Sequence, residues 1–332
     1  MVSVVIEWEN VLLSEMVRCR RMLHELRRQL LDLNSRATPV TAFEIVVVFD
    51  HEIVASSVVT NELAQIFQPG DPNLAWRLAP ARGLNYYDLK NFGALHACGD
   101  IILFLDSDVI PEAGWLKMLL GSLDDPSVQV VGGNTFLDLS GFMGRAMALS
   151  WIFPLRATDS ALREFPWFFA NNVAFRRSTI TRFPFPKMQP GATRGSCVQL
   201  AEDLRGQGIK IHQHSGAQVN HPPPNGWHHF LIRGVAQGRD ELLLRRIHRG
   251  RSWFGREGYR ELRRSFSKMF DGFNSILRQR KAVKLSLGET PLAMGIVMIY
   301  WHCRLFGCWG TQLFPKFMGK HFRISAPSEA AE

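Results

Sequence analysis

The chain has 332 residues, 46% of them hydrophobic and 21% charged, which excludes a disordered chain and suits one large α/β domain or two smaller ones. Its net charge of +9 is local, because residues 239–284 carry fourteen Lys and Arg against five Asp and Glu. The five cysteines have neither zinc-site nor CxxC spacing, which favours reduced thiols and a cytoplasmic protein. The first ten residues, MVSVVIEWEN, lack the basic segment of a signal peptide, so we expect none there.

Apolar runs and helical periodicity alternate over the first hundred residues. The pattern predicts strands at 2–6, 43–49, 74–78 and 100–105, and helices at 12–33, 56–67 and 87–98. Because the strands are apolar throughout, we expect a parallel sheet that is covered on both faces. Ligands bind such sheets at the carboxyl ends of the strands, and Asp50 and Asp106 lie at two of these ends.

The second half of the chain is less periodic and ends in a basic and then an apolar segment. Residues 128–190 are rich in Phe, Trp, Gly and Pro, HPPPNGW at 221–227 is a loop by composition, and a basic helical segment runs on to residue 284. The uncharged run 290–303 is shorter than the ~18 residues of a spanning helix, so we predict no transmembrane segment. Residues 291–314 are then either a buried helix or a helix that lies in a membrane interface.

Two carboxylates one residue apart follow the strand in DIILFLDSDVIPEAGW, residues 100–115. Asp106 and Asp108 repel each other unless a cation or a polar ligand lies between them. A hard divalent cation such as Mg²⁺ or Mn²⁺ prefers oxygen ligands and leaves positions open for substrate phosphates. The alternative interpretation is that both residues only cap a turn.

Six stretches occur in the order of the motifs of one large family. They are VSVVIEWEN, EIVVVFDHE, LKNFGALHACGD, IILFLDSDVIPEAGWL, FANNVAFRRSTI and AEDLRGQG. As an ordered set they resemble the family 2 glycosyltransferases, the inverting group with the GT-A nucleotide-diphospho-sugar fold, over about residues 2–240. The resemblance implies an α/β fold of GT-A type, with a mostly parallel central sheet, helices on both faces and a basic, mainly helical C-terminal extension.

The resemblance also implies a division of the chain. Residues 1–240 would form the glycosyltransferase domain, with a nucleotide-sugar half over 1–125 and an acceptor half over 126–240. Residues 241–332 would form the basic, then apolar, helical extension.

Carried over by position, the resemblance implies a donor site at the strand ends. Asp50 would approach the nucleotide base, Glu7 would lie in the first turn beside it, and Asp106 would contact the ribose or the metal. Asp108 would bind a Mg²⁺ or Mn²⁺ ion on the diphosphate, and His221 would complete the metal shell or touch the diphosphate. For a histidine before three prolines, a purely structural role is the alternative.

The same resemblance places the general base on a later helix. Asp203 matches the carboxylate that takes the proton of the acceptor hydroxyl during attack. Glu202 precedes it, and neighbouring side chains on a helix point about 100° apart, so only one of the two should face the site. Acceptor contacts are expected from Trp167, Asn171, Asn172 and Glu202. A solvated helix start, and aromatic residues that only build the core, are the alternatives.

Three positions depart from the family pattern. Glu7-Trp8-Glu9 stands where Pro-Thr-Tyr is common, Phe49 replaces the first of two aspartates, and Lys90 replaces Arg and would meet phosphate as a point charge without bidentate geometry. These changes leave the nucleotide base open, with a UDP-sugar expected first. RGVAQGRDE at 233–241 lacks the Gln-x-x-Arg-Trp signature of processive synthases, which favours a non-processive enzyme.

The resulting functional hypothesis is a non-processive, metal-dependent inverting glycosyltransferase. It would move a sugar from a nucleotide-diphospho-sugar to the hydroxyl of a glycan, a lipid-linked acceptor or a small molecule. The protein would be cytoplasmic, with the basic segment docked at the inner face of the cell membrane.

Two other functions are weighed against it. A sugar-phosphate nucleotidyltransferase would need a Gly-rich phosphate loop after the first strand, and IEWENVLLSE contains no glycine. A non-catalytic relative could bind nucleic acid or anionic membrane through residues 239–284, where Trp253, Phe254, Tyr259 and Phe266 interleave with Arg. Because the acidic motifs are intact, we expect no nucleic acid partner.

Overall fold

The structure of the chain is a computed structural model that describes residues 1–35, 42–68, 70–71, 73–188, 191–249 and 256–322. Trp253 and Phe254, which the sequence suggested as stacking residues, lie outside these ranges.

The strands follow the predicted apolar runs. They are β1 (Val2–Glu7), β2 (Phe43–Asp50), β3 (Leu74–Ala81), β4 (Ile101–Asp106), β5 (Ile110–Pro111), β6 (Val130–Leu137), β7 (Leu162–Glu164), β8 (Asn172–Arg176) and β9 (Ile211–His221). β3 extends three residues beyond its predicted end because it pairs with the whole of β2, up to Asp50 and Ala81.

Within the described ranges these strands form one sheet in the order β3-β2-β1-β4-β8-β6-β9-β5, with β7 paired on β9. Strands β3, β2, β1 and β4 are parallel, and β8 is inserted antiparallel between β4 and β6. Most of the paired residues belong to parallel pairs, so the prediction of a mostly parallel sheet in an α/β fold is confirmed.

The helices occupy the connections and the C-terminal third. They are α1 (Met16–Ser35), α2 (Ser56–Ile66), α3 (Tyr86–His96), α4 (Trp115–Ser122), α5 (Phe142–Met147), α6 (Arg177–Arg182), α7 (Ser196–Gly206), α8 (Gly226–Arg249), α9 (Arg256–Gln279), α10 (Thr290–Leu313) and α11 (Pro315–His321). The first predicted helix begins four residues late because residues 9–12 form a 3₁₀ turn at the end of β1.

The sheet is covered on both faces, as its uninterrupted apolar strands predicted. Successive residues of β1 point to opposite faces. Val4 packs in one hydrophobic cluster with Leu23 of α1, and Val5 packs in a second cluster with Leu89 of α3. This burial fixes the register in which the acidic ends of β1 and β4 lie side by side, with Glu7 opposite Asp106.

The C-terminal helices are continuous with the preceding fold. The predicted boundary at residue 240 falls inside α8, and a third hydrophobic cluster joins Phe153 of the aromatic segment to Phe230 of α8, Ile276 of α9 and Tyr300 of α10. The basic and apolar segments therefore pack on the aromatic segment of residues 126–240 through a shared core.

Helices α8 and α10 approach each other closely at glycines. A Cβ atom on Gly238 would lie 1.8 Å from the carbonyl oxygen of Arg304, and one on Gly307 would lie 2.0 Å from that of Val235. Arg304 is buried at this contact and donates through Nε to Glu241 at 3.0 Å and through Nη1 to Ser265 of α9 at 3.2 Å. Among the described residues, α10 is the single helix long and apolar enough to cross a membrane, and its one charged residue is turned into this contact.

Substituting Gly307→Ala should destabilise the protein by about 1–3 kcal/mol, because the added methyl meets a backbone carbonyl that cannot move without separating the helices. Gly295→Ala is the matched control in the same helix, since nothing lies within 4 Å of its Cβ position and Ala is the better helix former by about 1 kcal/mol. Denaturant unfolding of both variants measures the difference. Equal stability of the two would contradict the close α8–α10 contact.

Candidate functional site

A cavity of about 930 Å³ lies where the carboxyl end of β4 faces α8. Its floor is formed by Asn10 and Tyr86 together with Asp106 and Asp108. Further lining comes from the aromatic segments 151–153 and 167–169, from the loop before α7, and from one face of α8. Since the floor lies at the carboxyl end of parallel strands, the cavity occupies the position where α/β sheets bind ligands.

Asp106 is buried under the cavity and held by three donors. Lys90 Nζ donates to Oδ1 at 2.6 Å, while the Tyr86 hydroxyl and Asn10 Nδ2 donate to Oδ2 at 2.8 and 2.9 Å. Lys90 is fully buried and does not line the cavity, so its ammonium group compensates Asp106 rather than meeting a substrate phosphate. The expected contact of Asp106 with ribose or metal competes with these three hydrogen bonds.

Glu7 lies beside Asp106, also below the cavity. It accepts hydrogen bonds from Asn10 Nδ2 at 2.5 Å and from the backbone N–H of Glu9 at 3.0 Å. Burial raises the pKa of Glu7 well above its usual range, the Asp106 charge raises it further, and Lys90 opposes both. Glu7 therefore belongs to the buried network beneath the floor and does not line the cavity.

Asp108 differs from Asp106 in having an unsatisfied oxygen. Its Oδ1 is buried and has no hydrogen-bond partner in the described part of the chain. Burial raises the pKa of Asp108 to about 7, and the Asp106 charge adds to this while Arg18 and Arg233 oppose it. Arg18 of α1 fixes the backbone here by donating through Nε to the Asp108 carbonyl at 2.6 Å and through Nη1 to Asp138 at 3.0 Å. The arrangement leaves one buried carboxylate oxygen able to accept a cation or a proton.

His221 ends β9 and lines the same cavity. Its Nδ1 lies 2.6 Å from the carbonyl oxygen of Pro222, which can only accept, so Nδ1 carries the proton and Nε2 has the lone pair. Burial lowers the pKa of His221 well below its usual range, and the charge of Arg233 lowers it further. A neutral imidazole whose other nitrogen donates to a carbonyl is the usual form of a metal ligand.

The donor set for a metal is small. No group of three or more His, Cys, Asp or Glu with metal-binding geometry occurs among the residues that the structure describes. Among the cavity-lining groups, Asp108 has an unpartnered carboxylate oxygen and His221 has a lone pair on Nε2, so both have suitable chemistry. This fits a Mg²⁺ or Mn²⁺ ion that takes one or two protein ligands and completes its shell with substrate phosphates and water.

Within the described ranges, five arginines that the sequence motifs did not indicate line the cavity, namely Arg18, Arg21, Arg194, Arg233 and Arg264. Arg194 stacks 3.8 Å over the ring of Tyr86 and donates through Nη2 to Asn10 at 3.3 Å, while its buried Nη1 has no partner among the described residues. Arg233 is half-buried on α8, and burial together with the charge of Arg194 lowers its pKa. Two like charges at one cavity are stabilised by an anionic ligand between them.

His229 adds a neutral donor to this wall. Its Nδ1 accepts from the backbone N–H of Asn225 at 3.1 Å, so the proton is on Nε2, which is buried and unpartnered in the described structure. Burial and the charge of Arg233 lower the pKa of His229 to about 4. His229, Arg233, Gln237 and Glu241 recur at every fourth residue of α8 and all line the cavity. This spacing was the signal in the sequence that could have identified the wall.

Helix α7 contacts the cavity with its first turn and not with its last. Gly195 and Cys197 line the cavity, whereas Asp203 lies six residues further along, about 9 Å down the helix axis, and is exposed. Glu202 is half-buried and also lies outside the lining. The structure therefore does not bring the expected general base to the cavity.

Of the remaining predicted site residues, some line the cavity and others lie outside it. Trp167 and Asn171 line the cavity, and Trp167 is about half exposed. Asn172 is fully buried outside it, where it accepts from Trp115 Nε1 at 2.8 Å and donates to the Ala217 carbonyl at 3.2 Å, so it joins strands rather than contacting an acceptor. Asp50 also lies outside, because its carboxylate accepts the backbone N–H groups of residues 52 and 83.

Comparison with known proteins agrees with the fold. The sequence model of the family described as Glycosyl transferase family 2 matches residues 18–183, half of the chain. The pre-mycofactocin glycosyltransferase of Mycobacterium tuberculosis is 48% identical over 42 residues, which are 13% of this chain and 9% of that protein, so the chain spans a small part of this curated relative.

Two solved structures are similar at low sequence identity. The mannosyltransferase PcManGT from Pyrobaculum calidifontis, in complex with GDP-Man and Mn²⁺, has a TM-score of 0.56 at 16% identity, with 95% of this chain and 87% of that chain covered. GalNAc-T7 with UDP, GalNAc and Mn²⁺ has a TM-score of 0.50 at 14% identity, with 79% and 54% covered. These likenesses confirm the predicted fold.

Substituting Lys90→Met should destabilise the protein by about 3–5 kcal/mol, because it leaves the buried Asp106 charge beside Glu7 without its cation. A second change, Asp106→Asn, should recover part of this loss. Lys210→Met, which removes an exposed ion pair with Glu164, is the control and should cost less than about 1 kcal/mol. Denaturant unfolding measures all three, and a double variant no more stable than Lys90→Met would contradict the compensating role of Lys90.

Proposed function

The chain belongs to glycosyl transferase family 2, and we propose that it transfers a sugar from a nucleotide-diphospho-sugar to a hydroxyl acceptor. One observation carries this proposal: a single cavity holds a buried carboxylate oxygen without a partner, on Asp108, together with the guanidinium groups of Arg194 and Arg233. A diphosphate ester with a divalent cation complements both, since it presents anionic oxygens to the arginines and a cation to the carboxylate.

The diphosphate is bound by the α8 wall and by Arg194. Guanidinium groups present several N–H donors in a planar fork that matches phosphate oxygens, and the Nε2–H of His229 adds a neutral donor. These donors stabilise the negative charge that develops on the diphosphate as the glycosidic bond breaks. Both similar solved structures hold nucleotides, GDP-Man in one and UDP in the other, which supports this class of donor. We retain UDP as the first base to test.

Asp108 and His221 are the residues that would hold a Mg²⁺ or Mn²⁺ ion. When bound there, the ion supplies a positive charge that neutralises the leaving diphosphate. Asp106, in contrast, positions the floor through its bonds to Lys90, Tyr86 and Asn10. Of the two carboxylates in Asp106-Ser107-Asp108, one therefore builds the site and the other faces its ligand. The Mn²⁺ in the PcManGT and GalNAc-T7 structures supports the use of a divalent cation.

The acceptor lies against the aromatic part of the lining, on Trp151, Phe153 and Trp167. Aromatic faces suit sugar rings and other amphipathic groups, and the exposed side of Trp167 is accessible from solvent. In this proposal the donor site draws on both parts of the chain, because Asp108 comes from residues 1–125 whereas Arg194, His229 and Arg233 come from 126–240. A single in-line displacement inverts the anomeric configuration, which NMR of the product against the donor reads directly.

Replacing Asp108→Asn should reduce sugar transfer by about 100-fold or more while the protein stays folded. The loss follows because ion binding supplies several kcal/mol of transition-state stabilisation and about 1.4 kcal/mol corresponds to tenfold in rate. Asp203→Asn is the same chemical change on the exposed side of α7, and it should alter the rate by about twofold or less. Release of nucleoside diphosphate measures both. If the Asp203→Asn variant is inactive, the general base lies on α7 after all. If the Asp108→Asn variant stays active, Asp108 is not a metal ligand.

Titration with UDP-, GDP- and dTDP-sugars should raise the melting temperature with one nucleotide class, and more so with Mn²⁺. A ligand at 100 times its Kd stabilises by about 2.7 kcal/mol, which for a chain of this length is about 4 °C. Arg233→Met should lower the shift because it removes a diphosphate donor, whereas Arg205→Met on the exposed face of α7 should leave it unchanged. No shift with any donor, with or without Mn²⁺, would contradict the proposed function.

A further inference from the structure

Helix α9 has two apolar stripes, and among the residues that the structure describes only one of them is covered by protein. The covered stripe, made of Ser265, Met269, Gly272 and Ile276, is buried, and Gly272 lies against Val297 of α10. The second stripe consists of Tyr259, Phe266, Phe270 and Leu277, which are between 40% and 67% exposed. Their separations of seven, four and seven residues place all four within about 20° of one line along the helix, about 100° from the covered stripe.

A basic flank borders the exposed stripe on the side away from the core. Its basic residues are the exposed Arg260, Arg263, Arg264, Lys268 and Arg278, and one exposed acidic residue, Asp271, lies among them at 3.8 Å from Lys268. On a wheel of 100° per residue, these five follow the exposed stripe in one direction, while the buried stripe lies in the other. A surface helix of a soluble monomer would carry this polar flank directly beside its buried stripe, without four large apolar side chains between them.

Helix α10 adds a second exposed apolar surface. Leu292, Met298, Phe306, Trp309 and Leu313 are between 37% and 65% exposed, and the helix has no charged residue except the buried Arg304. Since α9 and α10 pack on each other through Gly272 and Val297, these surfaces belong to one pair of helices. Large exposed apolar surface is unfavourable in water and marks an interaction site.

We propose that α9 and α10 dock the protein on an anionic lipid surface, with α9 lying in the plane of the interface. A stripe of Phe, Tyr and Leu bordered by Arg and Lys is the composition of helices that bind in this way, with apolar side chains entering the acyl boundary and cations meeting headgroups. The buried bonds of Arg304 to Glu241 and Ser265 hold α10 against α8 and α9, which favours a helix that lies on the bilayer over one that crosses it.

This docking surface is independent of the proposed sugar transfer, because none of its apolar residues lines the cavity. One residue of its basic flank, Arg264, does line the cavity. The docked protein would therefore hold the mouth of the cavity near the headgroups.

Co-sedimentation of the full chain with vesicles tests the proposal. Binding is expected to vesicles of 70% phosphatidylcholine and 30% phosphatidylglycerol, and to be much weaker with phosphatidylcholine alone. The double variant Phe266→Ser/Phe270→Ser should bind at least about tenfold more weakly, because two aromatic side chains no longer enter the lipid. Ile53→Ser/Leu95→Ser is the matched control, since it removes two exposed apolar side chains elsewhere on the surface, and it should bind like the unchanged chain.

A charge variant separates the electrostatic contribution to vesicle binding from the apolar contribution. Arg260→Gln/Arg263→Gln should weaken binding to the anionic vesicles by about fivefold for each charge removed, with the loss largest at low salt. The proposal would be overturned if the unchanged chain bound neither kind of vesicle. It would also be overturned if the Phe double variant and its control lost vesicle binding equally. A dimer in light scattering that the Phe double variant abolishes would assign the stripe to a second copy instead and would also overturn it. Melting curves verify that every variant is folded.

Discussion

The ion pair between Lys90 and Asp106 is the interaction on which the site depends. Parallel pairing places Glu7 directly opposite Asp106, so the sheet brings two buried carboxyl groups together at one edge. The fully buried ammonium group of Lys90, reaching from α3, compensates them at 2.6 Å from Asp106, and Tyr86 completes the shell. Without this cation the acidic ends of β1 and β4 would repel, which would destabilise the floor of the cavity.

The same pair explains how two carboxylates one residue apart coexist. Asp106 is satisfied by protein donors, and Asp108 retains a buried oxygen that protein does not satisfy within the described residues. The charge of Asp106 is thus compensated by donors of the protein, whereas the charge of Asp108 remains to be compensated by a ligand. Arg18 supports this division because it fixes the backbone of Asp108 from α1.

Helix α8 links the sheet to the C-terminal helices. One face supplies His229 and Arg233 to the cavity, and the opposite side meets α10 at Gly238, where only a glycine permits so close an approach. The α8 wall and the α9–α10 surface are therefore connected through the contact between α8 and α10. A change in how α10 sits on α8 would move the residues that face Asp108.

Local sequence determined much of the fold and part of the site. The central strands were predictable because they are short and uninterruptedly apolar, and the acidic residues at their ends followed from the same boundaries. The order of the motifs indicated the family. Asp106 and Asp108, predicted at a strand end, and His221, indicated by the resemblance, all line one cavity, and their roles there stay predictions. These features depend on residues near each other in the chain or on strand direction.

Tertiary structure decided which of the predicted residues reach the cavity, because this depends on which turn of each helix meets the cavity. The motif around Asp203 lies on α7, whose first turn lines the cavity, and six residues at 1.5 Å each place Asp203 at an exposed position outside that lining. Whether Lys90 meets phosphate or Asp106 is set by the packing of α3, not by its neighbours in sequence. The α8 wall, with His229 and Arg233, likewise depends on the rotation of α8 about its axis. The contact of α8 with α10 fixes that rotation.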